Sequence, residues 1–180
     1  MDDEDGLLVT QCLNGDGKAF ERIIEKYYKP VYRLASRLVK YSDDAEEITQ
    51  SAFVKAYEKL NTYNSKFKFF SWIYRITINE SLNFLKERSH TSEVTENTLS
   101  GIDNPDVIYD QIENSKKIED ALFQLDMLYR LPVVLKHFMS YSYKELSDLL
   151  DIPEKTVKSR LFTGRQLLKD ILIKNGLYEK

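Results

Sequence analysis

Residues 142–168, SYKELSDLLDIPEKTVKSRLFTGRQLL, carry two apolar stripes of helical spacing separated by Asp151-Ile152-Pro153. Leu146, Leu149 and Leu150 form one apolar face before the break. Val157, Leu161, Gly164 and Leu168 form the next, spaced as a buried helical face requires. Proline is tolerated at a helix start, where its missing N–H would be unpaired anyway. Short helix, tight turn and second helix is a helix-turn-helix, which can set its second helix in a DNA major groove.

At about 100° per residue, Lys155, Ser159, Phe162, Thr163 and Gln166 lie opposite the second stripe, flanked by Lys158, Arg160 and Arg165. Ser, Thr and Gln can meet base edges, and Phe can pack on a thymine methyl. The three flanking cations are placed for phosphates. An αα-hairpin with a solvated basic face has the same periodicity, but an outward Phe162 argues against it. The charge is segregated. Residues 154–174 hold six bases and two acids, whereas residues 93–126 hold nine acids and two bases, in a chain of net charge −3. That pattern implies a local anion-binding surface rather than general affinity for polyanions.

A second stripe lies in KFKFFSWIYRITINESLNFLKER, residues 66–88. On a helix, Lys68, Trp72, Arg75, Asn79, Asn83 and Lys86 fall within an arc of about 80°, along about 27 Å. Phe69, Phe70, Ile73, Ile76 and Phe84 fall elsewhere. Cations, amides and an indole along one edge suit an unpaired nucleic-acid strand. Upstream, Thr62-Tyr63-Asn64-Ser65-Lys66 forms a polar loop with another aromatic. Trp72 fits a core position as well as a stacking platform, and Arg75 could pair with a carboxylate.

The spacing predicts helices over 17–40, with a kink or interruption at Pro30, over 43–60, with Ser42 or Asp43 as N-cap, and over 68–88. Residues 91–106, TSEVTENTLSGIDNPD, are linker chemistry, too poor in apolar surface to offset ordering entropy. Periodicity returns from about 116. The expected fold is therefore all-α: two small helical domains, 1–90 and 116–180, joined by a flexible acidic linker, 91–115. Six glycines and four prolines are too few for an all-β chain rich in tight turns. The lone Cys12 permits no internal disulfide or Cys-cluster zinc site, and is read as a small buried or half-buried residue. His90 and His137 show no ligand spacing. With no nucleophile–base motif and no glycine-rich phosphate loop, neither catalysis nor a cofactor or metal is expected. The acidic start, Asp2 to Asp5, is unlike a signal peptide, and no apolar run reaches the roughly 18 residues of a membrane span, so a cytoplasmic protein without membrane insertion is expected.

Taken together, these segments resemble the extracytoplasmic-function (ECF) group of the sigma-70 family, bacterial RNA polymerase initiation factors, over nearly the whole chain. AFERIIEKYYKPVYRLASRLV resembles the family's opening helix. SDDAEEITQSAFVKAYEKL resembles its core-binding segment, and KFFSWIYRITINESLNFLK its promoter-melting segment. LDMLYRLPVVLKHFMSYSYKELSDLLDIPEKTVKSRLFTGRQLLKD is similar to the C-terminal domain that reads the −35 element.

The resemblance implies roles. Asp44, Glu47, Gln50, Phe53 and Val54 would lie on or beside the surface that grips the polymerase clamp. Tyr63, Asn64 and Lys66 would sit in the loop that captures a flipped −10 base. Lys68, Trp72, Arg75, Asn79 and Asn83 would line the melted non-template strand, with Lys86 extending the stripe. Lys136, Tyr143, Lys155, Lys158, Ser159, Arg160, Phe162, Thr163 and Arg165 would contact the −35 duplex or orient groups toward it, with Thr163 altering the sequence read. The acidic linker would thread toward the RNA exit channel. Partners implied are core polymerase (clamp and flap), promoter DNA and an anti-sigma protein. Some positions depart from the family pattern. Ser51 replaces a Glu, Asn83 an Asp, Asp126 a Pro, Thr163 a basic residue and Gly164 an Ala, and the usual Gly before the helix-turn-helix is missing from Met139-Ser140-Tyr141.

Two other classes compete. A free-standing helix-turn-helix regulator would bind duplex DNA unaided, usually as a dimer on paired half-sites. The net −3 charge and the lack of a heptad dimerisation helix count against it. A helical adaptor without a nucleic-acid role leaves the polar stripe and the basic helix unexplained.

Overall fold

The computed structural model describes residues 3–91 and 109–177, and every regular element among them is helical. The chain divides into two compact units, Met1–Ser100 and Gly101–Lys180.

The N-terminal unit contains α1 (Asp3–Leu13), α2 (Gly17–Leu38), α3 (Ser42–Glu58), a 3-10 turn (Leu60–Thr62) and α4 (Phe69–Thr91). α1 is an addition to the sequence reading. Its apolar pattern is irregular, with Leu8 and Val9 buried while Leu7 and Leu13 are exposed. Gly15, at φ 96°, makes the left-handed turn that leads out of it. The Asp16 side chain then caps α2, accepting from the Lys18 N–H at 3.0 Å.

The expected interruption at Pro30 does not occur, and α2 runs unbroken to Leu38. Ile23 and Tyr27 are buried before the proline, and Val31, Leu34 and Leu38 after it. Tertiary packing on both sides outweighs the one backbone bond that proline removes. The expected cap of α3 is also corrected. Tyr41 occupies the N-cap position without a side-chain bond, and Ser42 and Asp43 lie inside the first turn. Asp43 and Asp44 there oppose the positive end of the helix dipole.

α4 presents Ile73, Tyr74, Thr77, Ile78 and Ser81 to the core. The buried hydroxyls of Thr77 and Ser81 donate to the carbonyls of Ile73 and Thr77, both at 2.9 Å, so both hydroxyls are satisfied. The Tyr74 hydroxyl donates to the Pro30 carbonyl at 3.2 Å, and burial pushes its pKa up to about 12.

The C-terminal unit contains α5 (Tyr109–Phe123), α6 (Met127–His137), α7 (Tyr143–Leu150) and α8 (Glu154–Lys174). α4 reaches Thr91 and α5 begins at Tyr109, so both edges of the expected linker 91–115 are helical. Residues 92–108 of that linker lie outside the described residues.

Arg130 closes the α5–α6 corner, donating to the carbonyls of Phe123 (2.7 Å) and Leu125 (2.8 Å). Asp126, the departure from proline, caps α6 by accepting from the Leu128 N–H at 2.7 Å. Ser142 and Glu145 form a reciprocal capping box on α7. Ser140 and Asp151 both adopt left-handed backbone, at φ 58° and 52°. Asp151 turns the chain between α7 and α8, and the Ser147 hydroxyl donates across that turn to the Ile152 carbonyl at 2.6 Å.

Candidate nucleic-acid and protein interfaces

On α3, Glu47, Gln50 and Val54 are exposed, Val54 by 59%. Exposed Tyr57 extends this face and was missed in the sequence, where its spacing gave no separate signal. Asp44 is half-buried and forms an ion pair with Arg88 of α4. Burial raises its carboxyl pKa, and Arg88 pulls it back only in part. Phe53 requires a correction. It is 5% exposed, on the inward face with Ala52 and Ala56, and its ring stacks at 6.4 Å on Tyr28. It supports the surface from inside. Ser51 and Lys55, one turn apart, both reach the nearly buried Glu80 of α4, at 2.8 and 2.7 Å.

The second surface begins in the loop before α4. The Asn64 side chain accepts from the Lys66 N–H at 3.0 Å, and the Tyr63 hydroxyl donates to the Phe67 carbonyl at 2.7 Å. These bonds give the loop a defined shape. They leave Asn64 and Lys66 exposed, with Phe67 66% exposed, a residue the sequence reading passed over. Trp72 lies between its two readings in burial. It is half-buried, with its ring 5.3 Å from Phe69 and 5.6 Å from Tyr63, so one part packs while the rest meets solvent. Burial first, and the Asp5 charge second, raise the Tyr63 pKa.

Lys68 precedes the first turn of α4, and its carbonyl accepts from Ser71 and Trp72. Arg75, Asn79, Asn83 and Lys86 then follow along the exposed side of α4. α4 thus carries Trp72, Arg75, Asn79, Asn83 and Lys86 of the stripe, with Lys68 just before it, while Glu80, next to Asn79, turns into the interior.

The third surface is α8. Val157, Leu161 and Gly164 are buried, and Leu168 is half-buried. A Cβ on Gly164 would lie 2.9 Å from Val133 Cγ2, so α6 and α8 approach closely enough that a larger residue would require the Val133 side chain to shift. On the opposite side Phe162 is 62% exposed, with Lys155, Ser159 and Gln166 exposed and Thr163 half-buried. Lys158 and Arg165 are exposed and Arg160 is half-buried. The Tyr143 ring has two ammoniums over it, Lys136 at 5.0 Å and Lys158 at 5.6 Å. Lys136 also donates to the Tyr141 carbonyl at 2.9 Å, which ties it to the segment before α7. Burial, then Arg165 and Lys136, lower the His137 pKa and favour its neutral form. Cys12 is half-buried. Among the described residues no cluster of three His, Cys, Asp or Glu could hold a metal ion, and no helix is long and apolar enough to cross a membrane.

A helix-turn-helix with a basic, aromatic outer face, and a separate helical unit with an aromatic and amide stripe, are the features of a protein that engages nucleic acid. Residues 23–91 match the family Sigma-70 region 2, and residues 115–168 match Sigma-70, region 4. The chain is 32% identical to the ECF RNA polymerase sigma-E factor of Escherichia coli strain K12, over 91% of this chain and 92% of that one. It is 29% identical to the RNA polymerase sigma-H factor of Pseudomonas aeruginosa, over 94% of each. Its fold is similar to that of CnrH, solved with the cytosolic domain of CnrY (TM-score 0.71, 20% identity, 95% of this chain and 98% of that one). It is also similar to that of RpoE from Bartonella quintana, solved with the anti-sigma factor NepR (TM-score 0.73, 20% identity, 86% and 97%). The chain belongs to the ECF group of the sigma-70 family, RNA polymerase sigma factors that direct promoter-specific transcription.

Proposed function

We propose that the three surfaces divide the work of initiation. The exposed face of α3, with Asp44, Glu47, Gln50 and Val54, grips the polymerase clamp. Tyr63, Asn64 and Lys66 hold a flipped −10 base, and Lys68, Trp72, Arg75, Asn79, Asn83 and Lys86 hold the melted non-template strand. On the C-terminal unit, Lys155, Lys158, Arg160 and Arg165 take phosphates of the −35 duplex, with Lys136 and Tyr143 orienting them. Ser159, Phe162 and Thr163 read its bases. Functionally the chain divides into 1–90, an acidic segment 91–115 and 116–180. The acidic segment repels DNA and runs where nascent RNA later passes. The protein acts in the cytoplasm, performs no catalysis of its own, and is held by an anti-sigma protein that covers its polymerase-binding surfaces.

The observation that carries this reading is the continuity of the stripe. Exposed cations and amides run along one side of α4 from an aromatic pair beside an ordered loop. In a duplex, base faces are stacked and unavailable. Extruding a base costs a few kcal/mol, which an already unpaired strand avoids, and stacking on an aromatic returns about 1–3 kcal/mol per base. With core polymerase present, Asn79→Ala, Asn83→Ala and Lys66→Ala should slow opening of a duplex promoter strongly. On a promoter with a pre-melted −10 bubble, much of that defect should disappear. Equal defects on both templates would reassign the stripe to packing or polymerase contact. Binding to duplex without polymerase, and in preference to the bubble, would favour a free-standing regulator.

A further inference from the structure

We infer that Asp5 of α1 is a positioning residue for the Tyr63–Trp72 aromatic pair, acting through Tyr27 and Phe69. The inference rests on the proposed reading of that pair as part of the strand surface. Asp5 is 7% exposed, and both its carboxylate oxygens are engaged. One accepts from the Tyr27 hydroxyl at 2.6 Å, and the other from the Lys26 ammonium at 2.8 Å. The Tyr27 ring lies 5.2 Å from that of Phe69. Phe69, fully buried, lies 5.3 Å from both Tyr63 and Trp72. α1 also meets the 3-10 turn that leads into Tyr63.

A buried carboxylate is tolerated only when hydrogen-bonded, so Asp5 and Tyr27 constrain each other. Apolar burial alone is non-directional. A short bond to a charged acceptor instead fixes both the distance and the direction of the Tyr27 hydroxyl, and with them the tilt of its ring. Because interiors are close-packed, a tilt of Tyr27 must be passed to Phe69, and from there to the two rings that reach the surface. The charge at one end of α1 thereby fixes the stacking geometry at the other end of the chain of rings.

Trp72 is the chain's only tryptophan, so its fluorescence reports this geometry without a label. The full chain would be compared with Asp5→Ala and Tyr27→Phe, the latter keeping the ring and removing only the hydroxyl. Ile48→Val is the control. It trims a different buried cluster, with Ala35, Val39 and Ala45, and lowers stability without touching the rings. Both test variants should give a red-shifted Trp72 emission and faster acrylamide quenching, and Ile48→Val should give neither. With core polymerase, both should open a duplex promoter about three- to ten-fold more slowly, the scale of one lost hydrogen bond.

Trp72 emission and quenching unchanged in folded Asp5→Ala and Tyr27→Phe chains, or changed as much by Ile48→Val, would overturn the positioning role. If Asp5→Ala does not fold, Tyr27→Phe decides by the same readings. The strand reading fails separately, through normal promoter opening in Asn79→Ala, and that result leaves the fluorescence test of Asp5 intact.

Discussion

The hydroxyl of Ser51 on α3 donates to the carboxylate of Glu80 on α4 at 2.8 Å. Ser51 stands where the family pattern that the sequence resembles has a glutamate. Here the position faces inward, toward a carboxylate that Lys55 also holds at 2.6 Å. α3 and α4 are thus joined by one shared acid.

Placing a glutamate at this position should therefore be harmful. Ser51→Glu would set a second carboxylate beside the nearly buried Glu80, removing one hydrogen bond and adding like-charge repulsion. We expect a loss of about 1–3 kcal/mol in urea unfolding. Ser51→Glu combined with Glu80→Gln should recover part of it. Equal stability of Ser51→Glu and the parent chain would show that Glu80 moves away at no cost.

Ser140 holds left-handed backbone at φ 58°, where a side chain costs about 1–2 kcal/mol. Glycine adopts that conformation freely but is more flexible when unfolded. Ser140→Gly should raise the stability of the C-terminal unit by up to about 1 kcal/mol, seen as a higher thermal midpoint. A lower midpoint would mean that the Ser140 side chain supplies more than its backbone strain costs.

At Gly164 the direction reverses. Alanine favours a helix interior by about 1 kcal/mol over glycine, but overpacking commonly costs about 1–3 kcal/mol. With Val133 Cγ2 only 2.9 Å from the new methyl, and Tyr129 backbone oxygen at 3.3 Å, overpacking should win. Gly164→Ala should destabilise the C-terminal unit by about 1 kcal/mol. Trimming the neighbour, in Gly164→Ala with Val133→Ala, should be less damaging than the sum of the two changes.

The outer side of α8 should separate positioning from reading. Lys158→Ala and Arg165→Ala should weaken binding to all −35 sequences and flatten the salt dependence, each by about one unit of slope. Ser159→Ala and Phe162→Ala should instead change which sequences a promoter library returns. The same shift from both classes would refute the division.

The sequence made α8 and the α4 stripe legible because each combines one buried and one polar face at a single period. Val157, Leu161 and Gly164 announce the inside, and Phe162 and Ser159 the outside. Phe53 reads two ways, inward by its helical spacing with Ala52 and Ala56 and on or beside the polymerase surface by the matched motif, and the structure buries it. It lies beside Val54 in a matched motif, yet one step of a helix separates a buried ring from an exposed side chain. α1 stayed hidden because much of what docks it is polar, Asp5 against Lys26 and Tyr27 of α2, and hydrophobic periodicity does not register such contacts. The passage of α2 through Pro30 could not be read locally either, because packing on both sides decides it. The Glu80 contacts, like the Gly164 approach, join residues distant in sequence and carry no local signature.

On the proposed reading of the C-terminal unit, the Tyr143 ring and its two lysines have a kinetic consequence. A lysine free in solvent gives up about 2 kcal/mol of rotamer entropy when a ligand fixes it. Lys136 and Lys158 are already drawn over one ring, and Lys136 is tethered to a carbonyl as well. Part of that entropy is surrendered when the domain folds, so a phosphate arriving beside them meets cations whose freedom is already reduced. The benefit falls on how long an encounter lasts rather than on how often encounters occur, which long-range charge sets. It would be felt most at promoters whose contacts elsewhere are weak.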